Sequence, residues 1–238
     1  FADLVYELGT HTKTNDKLDA LINYFAQADP KDKVWMIALF SGRRPRRTIS
    51  GTKLAEWCAE FVGLPLWLFA ESYHTVGDMS ETIALLIPGN DLQQPSAKSL
   101  SWYAGKFLEL EKASESVKKE FIIQSWKELN SRERFVFNKL LSSTFRVGVS
   151  QNMMVNALAK TVNLAPSVIA HRISGNWDPS STPFQELLSE ESTITDHSKP
   201  YPFYLAYALE DAPAALGDPQ EWQAEWKWDG IRGQIIKR

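Results

Sequence analysis

The sequence has little of what marks several large classes of protein. Its 238 residues include one cysteine, Cys58, which excludes an internal disulfide and a zinc site built only from cysteines. No apolar run is long enough to cross a bilayer, so we expect no membrane partner and no signal peptide. The four histidines lack metal-ligand spacing. A formal net charge of −3 excludes a uniformly basic nucleic-acid coat, so any nucleic-acid contact must use local patches.

Helical periodicity runs through residues 1–195. Apolar residues recur at intervals of three and four, as in the series Leu18, Leu21, Ile22 and Phe25. Gly63 is placed to end one helix, and Ser150 is placed to cap another. No internal repeat is visible, and no convincing strand pattern precedes about residue 200. We therefore predict a mainly α protein with an all-helical domain over residues 1–195.

The pattern changes near residue 195. Residues 191–202 lose the helical period and have the composition of a linker, and strand signals follow them. The sequence predicts that residues 196–238 are a linker and the truncated start of a mixed α/β domain. Because the chain opens with Phe1 rather than methionine, we expect the natural protein to begin earlier.

A short motif near the end of the sequence carries the chemistry. Lys227 follows Glu225 by two residues, and Asp229, Gly230 and Arg232 complete the pattern KxDGxR. Alternating tryptophans predict a strand, which would put Glu225 and Lys227 on one face. A lysine amine with a lowered pKa can attack phosphorus, and an arginine can bind phosphate or a ribose hydroxyl. A carboxylate can accept a hydrogen bond from the amino group of a base.

This motif resembles the nucleotide-binding lysine motif of the covalent nucleotidyltransferases, which include DNA ligases, RNA ligases and mRNA capping enzymes. The resemblance implies that Lys227 carries AMP from ATP, that Glu225 contacts the adenine amino group and that Arg232 contacts the nucleotide. It also implies a magnesium ion (Mg²⁺) as cofactor. An exposed lysine in a surface hairpin is the alternative.

Three further stretches resemble ATP-dependent DNA ligases of the bacterial type. Residues 76–81 and 145–150 are similar to segments of the helical DNA-binding domain that precedes the catalytic core. Residues 202–206 occupy the place of the segment that opens the nucleotidyltransferase domain, with Tyr204 in place of the usual methionine. The resemblance spans most of the chain and implies an N-terminal DNA-binding domain followed by the start of the adenylation domain.

Two basic loops are the candidate DNA contacts. The densest positive run contains Arg43, Arg44, Arg46 and Arg47 around a stiff Pro45, which suits a duplex backbone. Intramolecular salt bridges or a lipid-binding patch are the alternatives for this run. The second loop contains Arg146, Gly148 and Ser150, where backbone N–H groups and a helix start could clamp a phosphate. A helix–helix turn chosen for packing is the alternative for this second loop.

The resemblance implies nick sealing in duplex DNA by a monomer in the bacterial cytoplasm, serving repair, recombination or replication. It also implies that the rest of the catalytic core lies after Arg238. Three alternatives stay open: an RNA ligase, an NAD-dependent ligase, and a non-catalytic helical DNA-binding or scaffold module with a chance KxDG hairpin.

Overall fold

The computed structural model describes residues 1–89, 96–142, 148–175, 177–188, 212–223 and 226. Within these residues the chain forms twelve α-helices and two 3-10 helices, Pro213–Leu216 and Pro219–Glu221, and it forms no β-strand. The predicted mainly α class is confirmed. Most of the strand expected around Lys227 lies outside the described residues, as does the boundary expected near residue 195.

The α-helices form two successive series of six. The first series is α1 (Ala2–Thr10), α2 (Thr14–Gln27), α3 (Pro30–Phe40), α4 (Gly51–Val62), α5 (Leu66–Val76) and α6 (Met79–Leu86). The second series is α7 (Leu100–Leu110), α8 (Glu115–Glu128), α9 (Ser131–Leu141), α10 (Gln151–Val162), α11 (Pro166–Ser174) and α12 (Phe184–Leu188). The helices α2 and α8 both have 14 residues, α3 and α9 both have 11, and α4 and α10 both have 12.

The two series follow a similar helical plan, and the correspondence is clearest for α4 and α10. Both α4 and α10 start at a serine cap and end at a left-handed residue that a leucine follows. Each leucine N–H donates back into its helix, at 2.9 and 3.0 Å. The matching pairs are Ser50 with Ser150, Gly63 with Asn163, and Leu64 with Leu164. The caps expected at Gly63 and Ser150 are confirmed, and the matched helices indicate a structural repeat that the sequence pattern did not show.

The helices pack into two hydrophobic cores, and each core combines three helices of the first series with three of the second. One core joins α1, α2 and α3 with α10, α11 and α12, and we call this part the terminal lobe; Leu100, Ala104 and Val136, from α7 and α9, also pack into this core. The other joins α4, α5 and α6 with α7, α8 and α9, and we call it the central lobe. Equivalent positions are buried in both lobes, such as Phe25 and Trp126. The exchange also explains why α2 packs on α10 while its counterpart α8 packs on α4.

The chain passes between the lobes at two places, which we call crossovers. The first crossover lies between Phe40, at the end of α3, and Gly51, at the start of α4. The second lies between Leu141, at the end of α9, and Gln151, at the start of α10. Both basic loops singled out in the sequence are therefore crossovers between lobes.

The single cysteine belongs to the central core. Cys58 is fully buried, and this burial raises the pKa of its thiol to about 12, against a smaller opposing effect of Arg134. A thiol with so high a pKa stays protonated at neutral pH and is a poor nucleophile. Cys58 therefore serves in packing.

Candidate nucleic-acid interface

Each crossover leads into a helix that a serine caps. The Ser50 hydroxyl accepts the N–H of Lys53 at 3.2 Å, and the Ser150 hydroxyl accepts the N–H of Met153 at 3.2 Å. Neither α4 nor α10 has an acidic residue in its first turn. The positive ends of both helix dipoles therefore lack a carboxylate of their own, a condition that suits phosphate.

In the first crossover, Arg43 is used within the fold. Its guanidinium donates to the carbonyl oxygens of Ile173 at 3.5 Å, of Trp177 at 3.4 Å and of Gly175. It also lies over the Trp177 ring, 4.7 Å from the centroid, and burial lowers its pKa. Ile173 lies in the last turn of α11 and Gly175 and Trp177 follow it, and a cation is favourable at this end of a helix. Arg44 is half-buried and has interactions of its own within the protein.

The next two arginines of the crossover face solvent. Arg46 is exposed, and its backbone N–H donates to Glu111 Oε1 at 3.3 Å. Arg47 is exposed as well, and its Nε donates to the Ile49 carbonyl at 2.9 Å. A methyl group placed on Gly51 would lie 3.1 Å from Arg47 Nη2, so this guanidinium sits beside the first residue of α4. A cation and a helix N-terminus thus lie together at this site.

The second crossover has a cation that the sequence did not indicate. Lys17, on α2, donates through Nζ to the carbonyl of Gly148 at 3.3 Å. Gly148 has a φ of 66°, a backbone conformation that favours glycine, and it stands two residues before the Ser150 cap. The expected partner Arg146 lies outside the described residues. Lys17 is 131 positions away from Gly148, so only the packing of α2 on α10 brings the two together.

The structure therefore places a cation at the start of two equivalent helices, Arg47 at α4 and Lys17 at α10. A guanidinium or ammonium beside open helix N–H groups is a suitable environment for a phosphate oxygen. Gly148 and Ser150 lie at one of these starts and Arg46 and Arg47 lie at the other. That any of these residues binds DNA stays a prediction, as it does for Arg43 and Arg44.

The predicted nucleotide-binding residues cannot be placed in the same way. Glu225, Lys227 and Arg232 lie outside the described residues. Of the neighbouring aromatic residues, Trp222 and Trp226 are exposed. The roles of all three predicted residues stay predictions.

Among the residues that the structure describes, no group of three or more His, Cys, Asp or Glu could hold a metal ion. Asp78 caps α6 and accepts the N–H of Glu81 at 3.0 Å. Over the same residues no single helix is long and apolar enough to span a membrane; α10 and α11 pass that test only together, and they are bent by 114°.

Comparison with known proteins agrees with the resemblance read from the sequence. A family model described as "DNA ligase N terminus" matches residues 1–159. This range includes the whole first helical series and the second series through most of α10. No curated protein matches the chain.

Proposed function

The chain belongs to the DNA ligase N-terminal family, which comprises N-terminal domains of ATP-dependent DNA ligases, and from this membership we propose that its helical part holds nicked duplex DNA for sealing. The observation that carries the proposal is the pair of helix starts, α4 with Arg47 and α10 with Lys17. Both belong to equivalent units of a duplicated fold, so each can contact one segment of phosphate backbone.

Contacts of this kind bind without reading sequence. Backbone N–H groups, arginine and lysine neutralise phosphates and fix the position of the duplex, but they carry no base information. A nick-sealing enzyme must accept any flanking sequence, so this property fits the proposal. Binding should be weak and should fall steeply with salt, because each neutralised phosphate releases counterions.

For the catalytic part we propose that Lys227 Nζ attacks the α-phosphorus of ATP. A phosphorus–nitrogen bond forms, the bond to the bridging oxygen breaks, and pyrophosphate leaves while the amine loses a proton. AMP then passes to the 5′-phosphate at the nick, and the 3′-hydroxyl displaces AMP to close the phosphodiester. Glu225 accepts from the adenine amino group and Arg232 holds the nucleotide. Magnesium accompanies ATP in this proposal, and no described residue is assigned to it.

The DNA part is tested by the salt dependence of binding. We replace Arg46 and Arg47 together by alanine and titrate a fluorescent nicked duplex at several salt concentrations. The slope of log K against log[salt] should fall by up to about 1.8, at about 0.9 per phosphate. Four arginines would have given twice this change, but the guanidinium of Arg43 is engaged within the fold and that of Arg44 is half-buried.

A matched control removes two positive charges elsewhere. Lys31 and Lys160 are exposed and lie at the ends of α3 and α10 that are remote from the crossovers, about 15 Å along each helix axis. Their double alanine variant should keep the wild-type salt slope. If the Arg46/Arg47 variant and the Lys31/Lys160 variant have the same salt slope, the first crossover is not on the DNA-binding surface.

The catalytic part is tested in the complete parent enzyme. Incubation with labelled ATP and magnesium should label one peptide, the one that contains Lys227. Lys227→Arg should abolish the label, because a guanidinium stays protonated and cannot attack phosphorus. A label on another lysine would reject the assignment. Glu225→Ala should reduce the use of ATP more than the sealing of a pre-adenylated nick.

The proposal also covers the nucleic-acid substrate and the cellular setting. Sealing of a nicked DNA duplex, measured beside a nicked duplex with an RNA strand, separates a DNA ligase from an RNA ligase. A monomer in the bacterial cytoplasm, with a role in repair, recombination or replication, is the cellular setting that we propose.

A further inference from the structure

The turn between α7 and α8 brings two carboxylates to the first crossover. Glu111, at the end of α7, accepts the backbone N–H of Arg46 through Oε1 at 3.3 Å. Glu115 is the first residue of α8, and its Oε1 lies 3.2 Å from Nζ of Lys53. We call Glu111 and Glu115 the acidic pair. The first turn of α4 has no acidic residue of its own, so these carboxylates reach it from the second helical series.

Lys53 places a further cation in the first turn of α4. It is the third residue of this helix, and its Nζ also pairs with Glu56 at 3.3 Å. Hydrogen bonds with Glu115 and then with Glu56 raise the pKa of Lys53, so its amine is protonated at neutral pH. The side chains of Lys53 and Glu115 are 43% and 62% exposed. Because an ion pair this exposed contributes little free energy, a phosphate oxygen can replace Glu115 at the ammonium.

The second crossover has no acidic residue at the corresponding positions. Its serine-capped helix α10 packs on α2, as α4 packs on α8. The third residue of α10, the first residue of α2 and the residue that ends α1 are Met153, Thr14 and His11. At the first crossover the same three positions hold Lys53, Glu115 and Glu111. The charged contacts are therefore not needed for two such helices to pack, and they call for another role.

We propose that Lys53 is a phosphate contact of the first crossover and that the acidic pair competes with DNA for this crossover. Without DNA, the two carboxylates occupy the ammonium of Lys53 and the backbone N–H of Arg46. When the duplex binds, phosphate oxygens take over both donors, and the negative charge of the acidic pair opposes this exchange. This role rests on the proposed DNA-binding function and adds a regulation to it. The acidic pair keeps the first crossover a weak contact, from which a duplex is readily released.

The double variant Glu111→Gln/Glu115→Gln tests the competition. Each glutamine keeps an oxygen that can accept from Arg46 or Lys53, so the crossover should keep its conformation while two negative charges are lost. Glu56 still holds the Lys53 ammonium at the start of α4. In a fluorescence-anisotropy titration of a nicked duplex at fixed salt, this variant should bind about threefold to tenfold more tightly than wild type, as expected for two exposed charge contacts.

A matched control removes two carboxylates at a distance from the crossover. Glu60 pairs with Lys119 across the same two helices, α4 and α8, but lies about 14 Å further along α4 than its first residue. Glu120 is exposed on α8. The double variant Glu60→Gln/Glu120→Gln has the same net charge as the acidic-pair variant, and its affinity for the duplex should stay within about twofold of wild type.

Lys53→Met tests the phosphate contact itself, because methionine is the residue at this position of α10. The slope of log K against log[salt] should fall by about 0.9, as expected for one phosphate. In the Lys53→Met background, Glu115→Gln should no longer tighten binding beyond the effect of Glu120→Gln. Circular dichroism melting checks that each variant is folded.

The Arg46/Arg47 double alanine variant separates the two ways in which the proposal can fail. If that variant lowers the salt slope while the acidic-pair variant binds like its control, or while Lys53→Met keeps the wild-type slope, the role of Lys53 and the acidic pair is overturned and the DNA-binding surface stays at the first crossover. If the Arg46/Arg47 variant also keeps the wild-type slope, the proposed DNA contact of this crossover fails together with its regulation.

Discussion

The guanidinium of Arg43 lies over the indole of Trp177, and it binds carbonyls at the C-terminal end of α11. Arg43 directly follows the first helices of one copy of the repeat, whereas α11 and Trp177 belong to the other copy. This contact therefore fastens the first crossover to the terminal lobe. Arg46 and Arg47, which follow in the same crossover, are left exposed.

Replacing Arg43 by alanine should destabilise the fold. The change leaves carbonyl oxygens of Ile173, Gly175 and Trp177 without this donor, and it removes the stacking on the indole. We expect a loss of about 1–3 kcal/mol in the free energy of unfolding. Urea titration followed by circular dichroism measures it. Arg46→Ala serves as the control and should stay within about 0.5 kcal/mol of wild type, because that side chain is exposed.

Acid should weaken the fold partly through Asp78. Burial by itself would raise the pKa of Asp78, but hydrogen bonds from Lys139, Glu81 and Ser80 outweigh burial and lower the pKa. Lys139 Nζ lies 2.5 Å from the carboxylate. As the pH falls, the unfolded chain binds a proton before the folded chain does. The stability from this carboxylate is therefore complete well above the unfolded-state pKa of about 3.9 and is lost as the pH falls through the lower folded-state pKa.

Asp78→Asn should consequently lose less stability than wild type between about pH 6 and about pH 3. Asparagine still caps a helix, so α6 should remain intact. Urea midpoints at several pH values give the comparison. Asp19→Asn, on an exposed position of α2, should retain the acid sensitivity of wild type. Parallel curves for Asp78→Asn and wild type would assign the acid sensitivity to other carboxylates.

The central core has a polar pair of residues where the terminal core has an apolar pair at the equivalent positions. This difference allows a third prediction. In the central lobe Trp126 Nε1 donates to Asn138 Oδ1 at 2.8 Å, and both residues are buried. In the terminal lobe the same positions hold the apolar residues Phe25 and Ile37. Asn138→Ile alone leaves the indole N–H without a partner and should cost about 1–3 kcal/mol.

Changing both members of the polar pair should cost less than the sum of the single changes. The double variant Trp126→Phe/Asn138→Ile removes donor and acceptor together, so no buried polar group is left unsatisfied. A double-mutant cycle of unfolding free energies measures the coupling. Additive losses would show that the hydrogen bond contributes nothing beyond packing.

The helical part of the fold could be predicted from the sequence because it is local. Periodicity and caps gave the helices, and the Asn130–Glu133 capping box forms as its spacing indicates. The duplication was missed because the copies share cap positions and burial but few identities, as Phe25 and Trp126 illustrate. A search for matched caps, such as Ser50 and Ser150, could have found it.

Only some residues of the candidate interface could be predicted from the sequence. A dense run of positive residues does not show which side chains pair within the protein and which face solvent. Arg43 and Arg46 look alike in one basic run, yet only the guanidinium of Arg43 is drawn into the fold by α11. Lys17 gave no signal, because its neighbour Gly148 is far away along the chain. Contacts of this kind depend on how helices pack, which periodicity alone does not specify.

Lys17 provides the last prediction, which concerns the second crossover. If this crossover contacts DNA as the first one does, Lys17→Gln should weaken binding to duplexes of any sequence and reduce the salt slope by about 0.9. Glutamine can still donate to the Gly148 carbonyl, so the crossover should keep its conformation and thermal stability should change little. Lys31→Gln, at the start of α3, is the matched control and should bind as wild type. A lower melting temperature with an unchanged salt slope would mean that Lys17 supports the loop around Gly148 rather than a phosphate. A reduced slope with normal stability would show that the second crossover contacts the DNA backbone, through a cation at the start of its serine-capped helix.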